Sequence, residues 1–367
     1  MSDSLPLSAV LSRALVAFTI ELDNAWESRM PHRTTRFGGP RGAPFAASLM
    51  LWSNFMRAVP EDGVSIAELE RHVRARLPLD GMRRWKYVTI AAEAEADPER
   101  ERVPRRDWRI TPTAAGLRAQ SVWRGLPEEI ERRWTDRFGA GTVAGLRTDL
   151  EEVVRGLGLT DLPHWITGRY GGYAGQRLEF NRSAPAADEG EWPPPLSALL
   201  CQLLQAFATE YEADSDASLS YSANVLRLLD EDGVKIAEMP RRSGIAVEPL
   251  RVAFKILAKR RFIAVENDPD GGRLKVARLL GRGRSARALY DERPDGLEAG
   301  WRARVGDGPV LRLRARLEHL VTAPDGERAP VWQGLEPPAE TWRGRVPVPE
   351  VLPDFPMPRQ SGHPDGA

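Results

Sequence analysis

The chain contains the same stretch twice, and this duplication constrains its fold more than any other feature. Residues 53–71 and 223–241 align without a gap. The positions they share are Asn54/Asn224, Arg57/Arg227, the Glu-Asp-Gly-Val runs at 61–64 and 231–234, Ile-Ala-Glu at 66–68 and 236–238, and Arg71/Arg241. A match this dense at a fixed spacing indicates an internal repeat. Each copy predicts a helix, a tight turn, a short extended segment and a second helix, which is how a helix-turn-helix unit begins.

A second gapless match lies towards the end of each copy. Residues 131–154 align with residues 298–321, and the alignment keeps a tryptophan, the glycines of a helix break and several apolar positions. The identical positions are Glu131/Glu298, Trp134/Trp301, Arg137/Arg304, Gly139/Gly306, Gly141/Gly308, Val143/Val310, Leu146/Leu313, Arg147/Arg314, Leu150/Leu317, Glu151/Glu318 and Val154/Val321. The segments that follow also agree, since Leu-Pro-His-Trp at 162–165 answers Leu-Pro-Asp-Phe at 352–355. The duplication therefore covers nearly the whole chain.

Apolar spacing and turn residues predict the same order of elements in both copies: three helices, a strand, a loop, a returning strand and further helices. This is the order of a winged helix-turn-helix. We therefore expect a mainly α fold with small β wings, in which two tandem winged helix-turn-helix domains pack through their N- and C-terminal helices. The predicted domains are 9–165 and 196–321, joined by a Gly-, Pro- and Ala-rich linker at 166–195 and followed by a proline-rich tail at 322–367.

Composition argues against several classes of protein. The single cysteine, Cys201, cannot form a disulfide within the chain, and its leucine-rich surroundings predict a buried thiol. The sequence has no basic-then-apolar N-terminal signal and no apolar run of about 20 residues, which favours a cytoplasmic protein without a membrane segment. The histidines lack metal-ligand spacing, and nucleophile-elbow, phosphate-loop and dinucleotide motifs are absent. We therefore expect no enzyme activity, catalytic residue, cofactor or metal.

Charge is unevenly distributed along a chain whose formal net charge is zero. Residues 241–287 contain 13 Lys and Arg against 4 Asp and Glu, and residues 71–118 contain 12 against 7. Cations concentrated on the two helix-turn-helix segments are what binding to DNA phosphates requires. The alternative is an ordinary solvated helix face whose charge is balanced by distant acids.

The second copy resembles the MarR-type winged-helix transcription regulators. The residues that carry the resemblance are the helices at 236–243 and 247–260 and the strand-wing-strand FIAVENDPDGGRLKVARL at 262–279, and the first copy adds Ile-Thr-Pro at 110–112. The resemblance implies sequence-specific binding of double-stranded DNA and transcriptional control, often relieved by a small-molecule effector. Members of that family usually act as homodimers. A chain with two copies is therefore expected to act as a monomeric pseudo-dimer.

Basic residues of the two helix-turn-helix segments are the candidate DNA contacts. Arg251, Lys255 and Lys259 recur every four residues, so they share one face of the presumed recognition helix. The first copy should contribute less, because its second helix is cut short after Pro78 and acidic residues interrupt its wing. The candidates are Arg241, Arg242, Arg251, Lys255, Lys259, Arg273 and Lys275 in the second copy, and Arg83, Arg84, Arg100, Arg102, Arg105 and Arg106 in the first.

Two further alternatives stay open. Phe18, Glu21 and Trp52 are candidates for an effector pocket between the N-terminal helix and the winged-helix core. Acidic residues here, with counterparts at Glu210 and Glu212, are also typical of a salt-bridged, dimer-like interface. The zero net charge and the shortened first recognition helix favour a rival function, a scaffold whose winged helices bind protein partners instead of DNA.

Overall fold

The computed structural model describes residues 5–30, 56, 58–73, 79, 83, 86–92, 105–160, 194–245, 247–268, 274–323, 327–341 and 350–357. Over this part of the chain the fold is mainly helical, with two small antiparallel sheets of three strands each. The expected class, mainly α with small β elements, is therefore confirmed. We call residues 5–160 the N-terminal repeat and residues 194–323 the C-terminal repeat.

The N-terminal repeat begins with one long helix and ends with three. Its elements are α1 (Leu7–Arg29), β1 (Val64–Ser65), α2 (Ile66–Val73), β2 (Val88–Ala91), β3 (Arg109–Pro112), α3 (Ala114–Trp123), α4 (Leu126–Phe138) and α5 (Ala140–Gly156). The last three helices are divided at Gly125 and Gly139, as the glycines predict, and Gly139 adopts a left-handed φ of 89°. Pro127 occupies the first turn of α4, where its missing N–H leaves no intrahelical bond unmade.

The elements described for the N-terminal repeat recur in the same order in the C-terminal repeat, which shows two further helices and one fusion. Its elements are α6 (Leu196–Glu212), α7 (Leu219–Asn224), β4 (Val234–Lys235), α8 (Met239–Ser243), α9 (Val247–Lys259), β5 (Ile263–Asn267), β6 (Lys275–Leu279), α10 (Gly281–Val305) and α11 (Asp307–Val321). Where the N-terminal repeat breaks between α3 and α4, α10 continues through Pro294, the residue that aligns with Pro127. Gly306 then ends α10 as Gly139 ends α4, with a φ of 102°.

Both sheets have the same strand order and the same register. The returning strand of each hairpin lies in the middle, which gives the orders β1-β3-β2 and β4-β6-β5. Val64 pairs with Ile110, and the equivalent Val234 pairs with Ala277. The Asp-Gly turn before each first strand requires glycine, since its φ is 85° in one repeat and 87° in the other.

The hairpin and the helix that follows it approach each other equally closely in both repeats. A Cβ atom on Gly116 of α3 would lie 2.1 Å from the Tyr87 carbonyl oxygen, and one on Gly283 of α10 would lie 2.1 Å from the Phe262 oxygen. The residues that precede these two, Lys86 and Arg261, both have a left-handed φ, 63° and 60° respectively, although neither is glycine. The repeats therefore share backbone geometry as well as sequence.

The two repeats meet through their first and last helices. α1 and α6 are buried along almost their whole length, and they contact each other. α5 contacts α11, α1 contacts α11, and α6 contacts α5. The contact between the first helix of the N-terminal repeat and the last helix of the C-terminal repeat thus has an equivalent in the opposite direction. This is the pattern of an interface around an approximate twofold axis. These helices build one core that both repeats share.

Two equivalent arginines, one in each repeat, bind the start of the other repeat's first helix. Arg147 of α5 donates to the Pro194 carbonyl before α6 at 2.9 Å, and Arg314 of α11 donates to the Leu5 carbonyl before α1 at 2.6 Å. Each arginine also pairs with a glutamate on the preceding helix of its own repeat, which orients the guanidinium. Each repeat therefore binds the first helix of the other through the same kind of contact.

One buried ion pair differs between the repeats. The Asp149 carboxylate on α5 is 3% exposed and accepts hydrogen bonds from Arg312 at 3.0 Å and Arg316 at 2.7 Å on α11. Asp149 aligns with Arg316, so two identical repeats would place the same residue on both sides of the axis. Like charges at such a distance repel, whereas Asp and Arg attract. The two copies have diverged to complement each other at this contact.

Replacement of Asp149 tests the contribution of this ion pair to stability. We expect Asp149→Ala to lower the free energy of unfolding by about 1–3 kcal/mol, because the contact loses its buried acceptor while both arginines still reach solvent. Glu152→Ala is the matched control, since Glu152 pairs with Arg312 at the surface, and it should cost less than about 1 kcal/mol. Urea denaturation measures both, and equal losses would contradict this account of Asp149.

Candidate nucleic-acid interface

α9 has one buried face and one charged face. Its apolar side chains at positions 250, 253, 254 and 257 lie in a second core, separate from the shared one, and α9 contacts α8 and β5. Arg251, Lys255 and Lys259 are exposed on the other side, as their four-residue spacing predicts. Because the buried face fixes the helix, this row of cations can meet a polyanion without rearrangement of the core.

The hairpin beside α9 adds one further exposed cation. Lys275 begins β6, and its ammonium donates to the Asn267 side-chain oxygen at 2.7 Å. Two other cations of the sheet pair instead with carboxylates of the hairpin, Lys235 with Asp268 and Arg278 with Glu266. Lys275 is therefore held by a neutral amide, and its positive charge is left for a ligand.

Arg241 and Arg242 lie on α8 and already have carboxylate partners. Arg241 pairs with Glu350 at 3.1 Å and Arg242 pairs with Glu238 at 2.8 Å, and all four side chains are exposed. Exposed ion pairs contribute little to stability, so a phosphate can replace either carboxylate at small cost. The Arg241 pair also places a segment of the C-terminal tail beside α8.

The N-terminal repeat presents two candidate cations whose side chains are described. Arg83 and Arg106 are exposed, and the Arg106 guanidinium lies 3.8 Å from the Asp107 carboxylate. The side chain of Arg105 and most of the helix expected after Pro78 lie outside the described part of the chain. The remaining candidates outside it are Arg84, Arg100, Arg102, Arg273 and Trp52.

The described members of the candidate effector pocket are core residues. Phe18 is fully buried and meets Trp134 edge-on, with 5.4 Å between ring centroids. Glu21 is also buried, accepts a hydrogen bond from Trp134 Nε1 at 2.8 Å and pairs with Arg137 at 2.5 Å. Burial raises the pKa of Glu21, although Arg137 opposes this shift. The equivalent glutamate, Glu210, makes the same pair with Arg304 at 2.9 Å. Each of these ion pairs lies within one repeat, so neither crosses the interface, and an effector pocket stays a prediction.

A tail segment at the junction of the repeats was missed by sequence reasoning. Residues 350–357, here called the C-terminal strap, include Leu352 and Phe355, which pack in the shared core, and Met357, which packs in the core beneath α9. The strap also passes closely over the turn before α9, because a Cβ atom on Gly244 would lie 2.0 Å from the Val351 carbonyl. The available signal was the Leu-Pro-Asp-Phe segment, which repeats an earlier segment of the chain.

A buried carboxylate fastens the C-terminal strap. Asp354 is 2% exposed and pairs with Arg13 of α1 at 2.8 Å and with Arg227 of the C-terminal repeat at 2.5 Å. The Asn224 side chain at the end of α7 donates to the Phe355 carbonyl at 2.7 Å and accepts the backbone N–H groups of Asp354 and Phe355. The strap therefore joins the interface helix α1 directly to the repeat that carries α9.

Glu212 lies at the junction between the interface helix α6 and the rest of the C-terminal repeat. Its carboxylate accepts the Leu219 backbone N–H at 2.9 Å, at the start of α7. Burial raises the pKa of Glu212 to about 7, and the hydrogen bond from Leu219 opposes this only in part. The folded protein therefore binds a proton at this junction near neutral pH.

No protein-family model, curated protein or solved structure matches this chain. In the part of the chain described above, no helix combines the length and the apolar character needed to cross a membrane. The His, Cys, Asp and Glu residues of that part form no group of three or more that could hold a metal ion. Cys201 is buried, as its leucine-rich surroundings predict.

Removal of the Asp354 carboxylate tests how firmly the strap is held. We expect Asp354→Ala to lower the free energy of unfolding by about 2–3 kcal/mol, because two largely buried arginines lose their common partner. Glu350→Ala is the control at the other end of the strap, where the ion pair is exposed and should contribute less than about 0.5 kcal/mol. Urea unfolding followed by tryptophan fluorescence measures both; a neutral Asp354→Ala variant would show that the strap contributes nothing to stability.

The raised pKa of Glu212 makes stability depend on pH. A carboxyl whose pKa is 4.5 in the unfolded chain and about 7 when folded stabilises the fold fully below pH 4.5, and this stabilisation is lost as the pH rises through 7. Glu212→Gln should therefore leave stability unchanged at about pH 5 and raise it by up to about 3 kcal/mol at about pH 8. Urea midpoints measured across this range test the expectation, and parallel pH profiles for parent and variant would contradict it.

Proposed function

We propose that the chain is a tandem winged helix-turn-helix protein that binds double-stranded DNA and regulates transcription, with the C-terminal repeat as its principal reading unit. The single observation that carries the proposal is the row of exposed cations on α9, opposite a face that is buried in its own core. An α-helix fits the major groove of B-DNA, and Arg and Lys are the side chains that most often contact guanine there.

The arrangement around α9 supports its role as a recognition helix. α8 ends at Gly244, whose left-handed φ of 69° turns the chain sharply before α9 begins. α8 and α9 contact each other, and the β5–β6 hairpin follows α9 directly. In this proposal α9 enters the major groove, Lys275 and the adjacent wing contact phosphates, and α8 crosses the backbone with Arg241 and Arg242.

The reciprocal interface supports the pseudo-dimer part of the proposal. DNA-binding proteins of this type use two recognition helices related by a twofold axis, one for each half-site. Here the first and last helices of both repeats come from one chain, so a monomer supplies both halves. The C-terminal repeat is proposed to read its half-site more strictly, and Arg83 and Arg106 add phosphate contacts from the N-terminal repeat.

Relief by a small-molecule effector is a further proposal, which rests on the resemblance to MarR-type regulators. Phe18, Glu21 and Trp52 mark the region to examine. Thermal-shift screening with aromatic acids, followed by a DNA-binding assay with each compound that raises the melting temperature, tests it. A regulator whose DNA affinity responds to none of them would be controlled by its abundance instead.

Single substitutions distinguish base contacts from phosphate contacts. Arg251→Ala should cost about 1–3 kcal/mol of affinity for a selected duplex and relax its specificity at one position. Lys275→Ala should weaken all duplexes alike and reduce the slope of log affinity against log salt by about one unit. Fluorescence anisotropy with a selected and a random duplex at two salt concentrations measures both effects.

Arg155→Ala is the matched control for these variants. Arg155 is an exposed arginine in the last turn of α5, on the opposite repeat from α9, and its removal deletes the same charge. Affinity and salt slope should match those of the parent protein. Equal effects of Arg155 and Arg251 would indicate only a general dependence on net charge. Failure of the parent protein to bind any duplex at low salt would favour the rival function, a winged-helix scaffold for protein partners.

A further inference from the structure

An apolar side chain is exposed at the start of α9, beside the row of cations. Val247 has 65% of its surface exposed, more than any other large hydrophobic side chain in the described part of the chain. The others that are exposed, Val265, Leu274 and Leu311, range from 38% to 44%. A side chain this open contributes little to the core beneath the helix, so its apolar surface is available to a ligand.

Val247 lies on the same face as the candidate DNA contacts. Side chains four residues apart are neighbours along a helix, so Val247, Arg251 and Lys255 follow one another on one exposed side of α9. Residues near the N-terminus of a recognition helix are those that reach base edges. If Arg251 faces the bases, Val247 faces the next part of the same groove, about one helical turn away.

The major groove offers little that an apolar side chain can contact favourably. Its base edges present hydrogen-bond donors and acceptors, and a valine against any of these would strip water from them without replacing the hydrogen bonds. The exception is the C5-methyl group of thymine, which is apolar and projects into the groove. We propose that Val247 selects a thymine by packing against this methyl group. The inference rests on the proposed function and adds a specificity-determining residue to it.

The test begins with the full chain and a random duplex library. Repeated selection yields a bound duplex, and each of its thymines is then replaced in turn by deoxyuridine, which differs only by the missing methyl. One replacement should weaken binding about fourfold, the ratio that burial of one methyl-sized group gives. 5-Methylcytosine opposite guanine, placed at that position, should bind more tightly than unmodified cytosine, because it carries the same methyl group.

Three variants connect that thymine to Val247. Val247→Ser should bind the thymine and deoxyuridine duplexes equally, because the apolar contact is gone. Val247→Ile should keep the preference for thymine, since the side chain stays apolar. Val265→Ser removes an exposed valine from the neighbouring strand β5 and should leave the preference unchanged. Circular dichroism of each variant at the assay temperature verifies that it is folded.

The outcomes separate this inference from the proposed function. A library from which no duplex is enriched overturns the proposed function, and the inference fails with it. An enriched duplex without any uridine-sensitive thymine overturns the inference alone. The same holds if Val247→Ser keeps the sensitivity, or if Val265→Ser loses it equally. Loss of the thymine preference in Val247→Ser alone supports the assignment.

Discussion

The packing of α1 against α6 is the interaction on which the rest of this structure depends. Both helices are buried on nearly every side, so neither can be stable in water until other helices cover it. α4, α5, α10 and α11 supply that cover, and each contacts α1 or α6. Burial of each large apolar side chain contributes about 1.5–3 kcal/mol, so this shared core supplies most of the free energy that holds the repeats together.

Because both halves of the interface belong to one chain, they are free to become different. In an oligomer of identical chains, a substitution appears on both sides of the axis, and complementary charges cannot evolve at a residue that faces itself. Asp149 and Arg316 occupy equivalent positions and form an ion pair, which only two unlike copies can do. The same freedom applies to the segments 71–118 and 241–287, of which the second carries the stronger excess of basic residues.

The C-terminal strap gives the interface a direct connection to the proposed reading unit. The core beneath α9 is separate from the shared core, and both α10 and the strap contribute side chains to each of them. Polar groups also join the two parts. Asp354 and Asn224 are two such groups, and Glu212, which exchanges a proton near neutral pH, lies at the connection between α6 and α7.

The sequence by itself determined the repeat, the order of most helices and strands and the exposed face of α9, because these follow from periodicity, turn residues and neighbours within a few positions. The helix breaks at Gly125 and Gly139 and the presence of a hairpin in each repeat were readable in this way. Only the tertiary structure decided which helices meet, that Arg147 reaches the Pro194 carbonyl of the opposite repeat, and that Asp354 is buried in a segment with the composition of a surface tail. These contacts join residues far apart in the chain, and no local pattern encodes how distant segments approach each other in space.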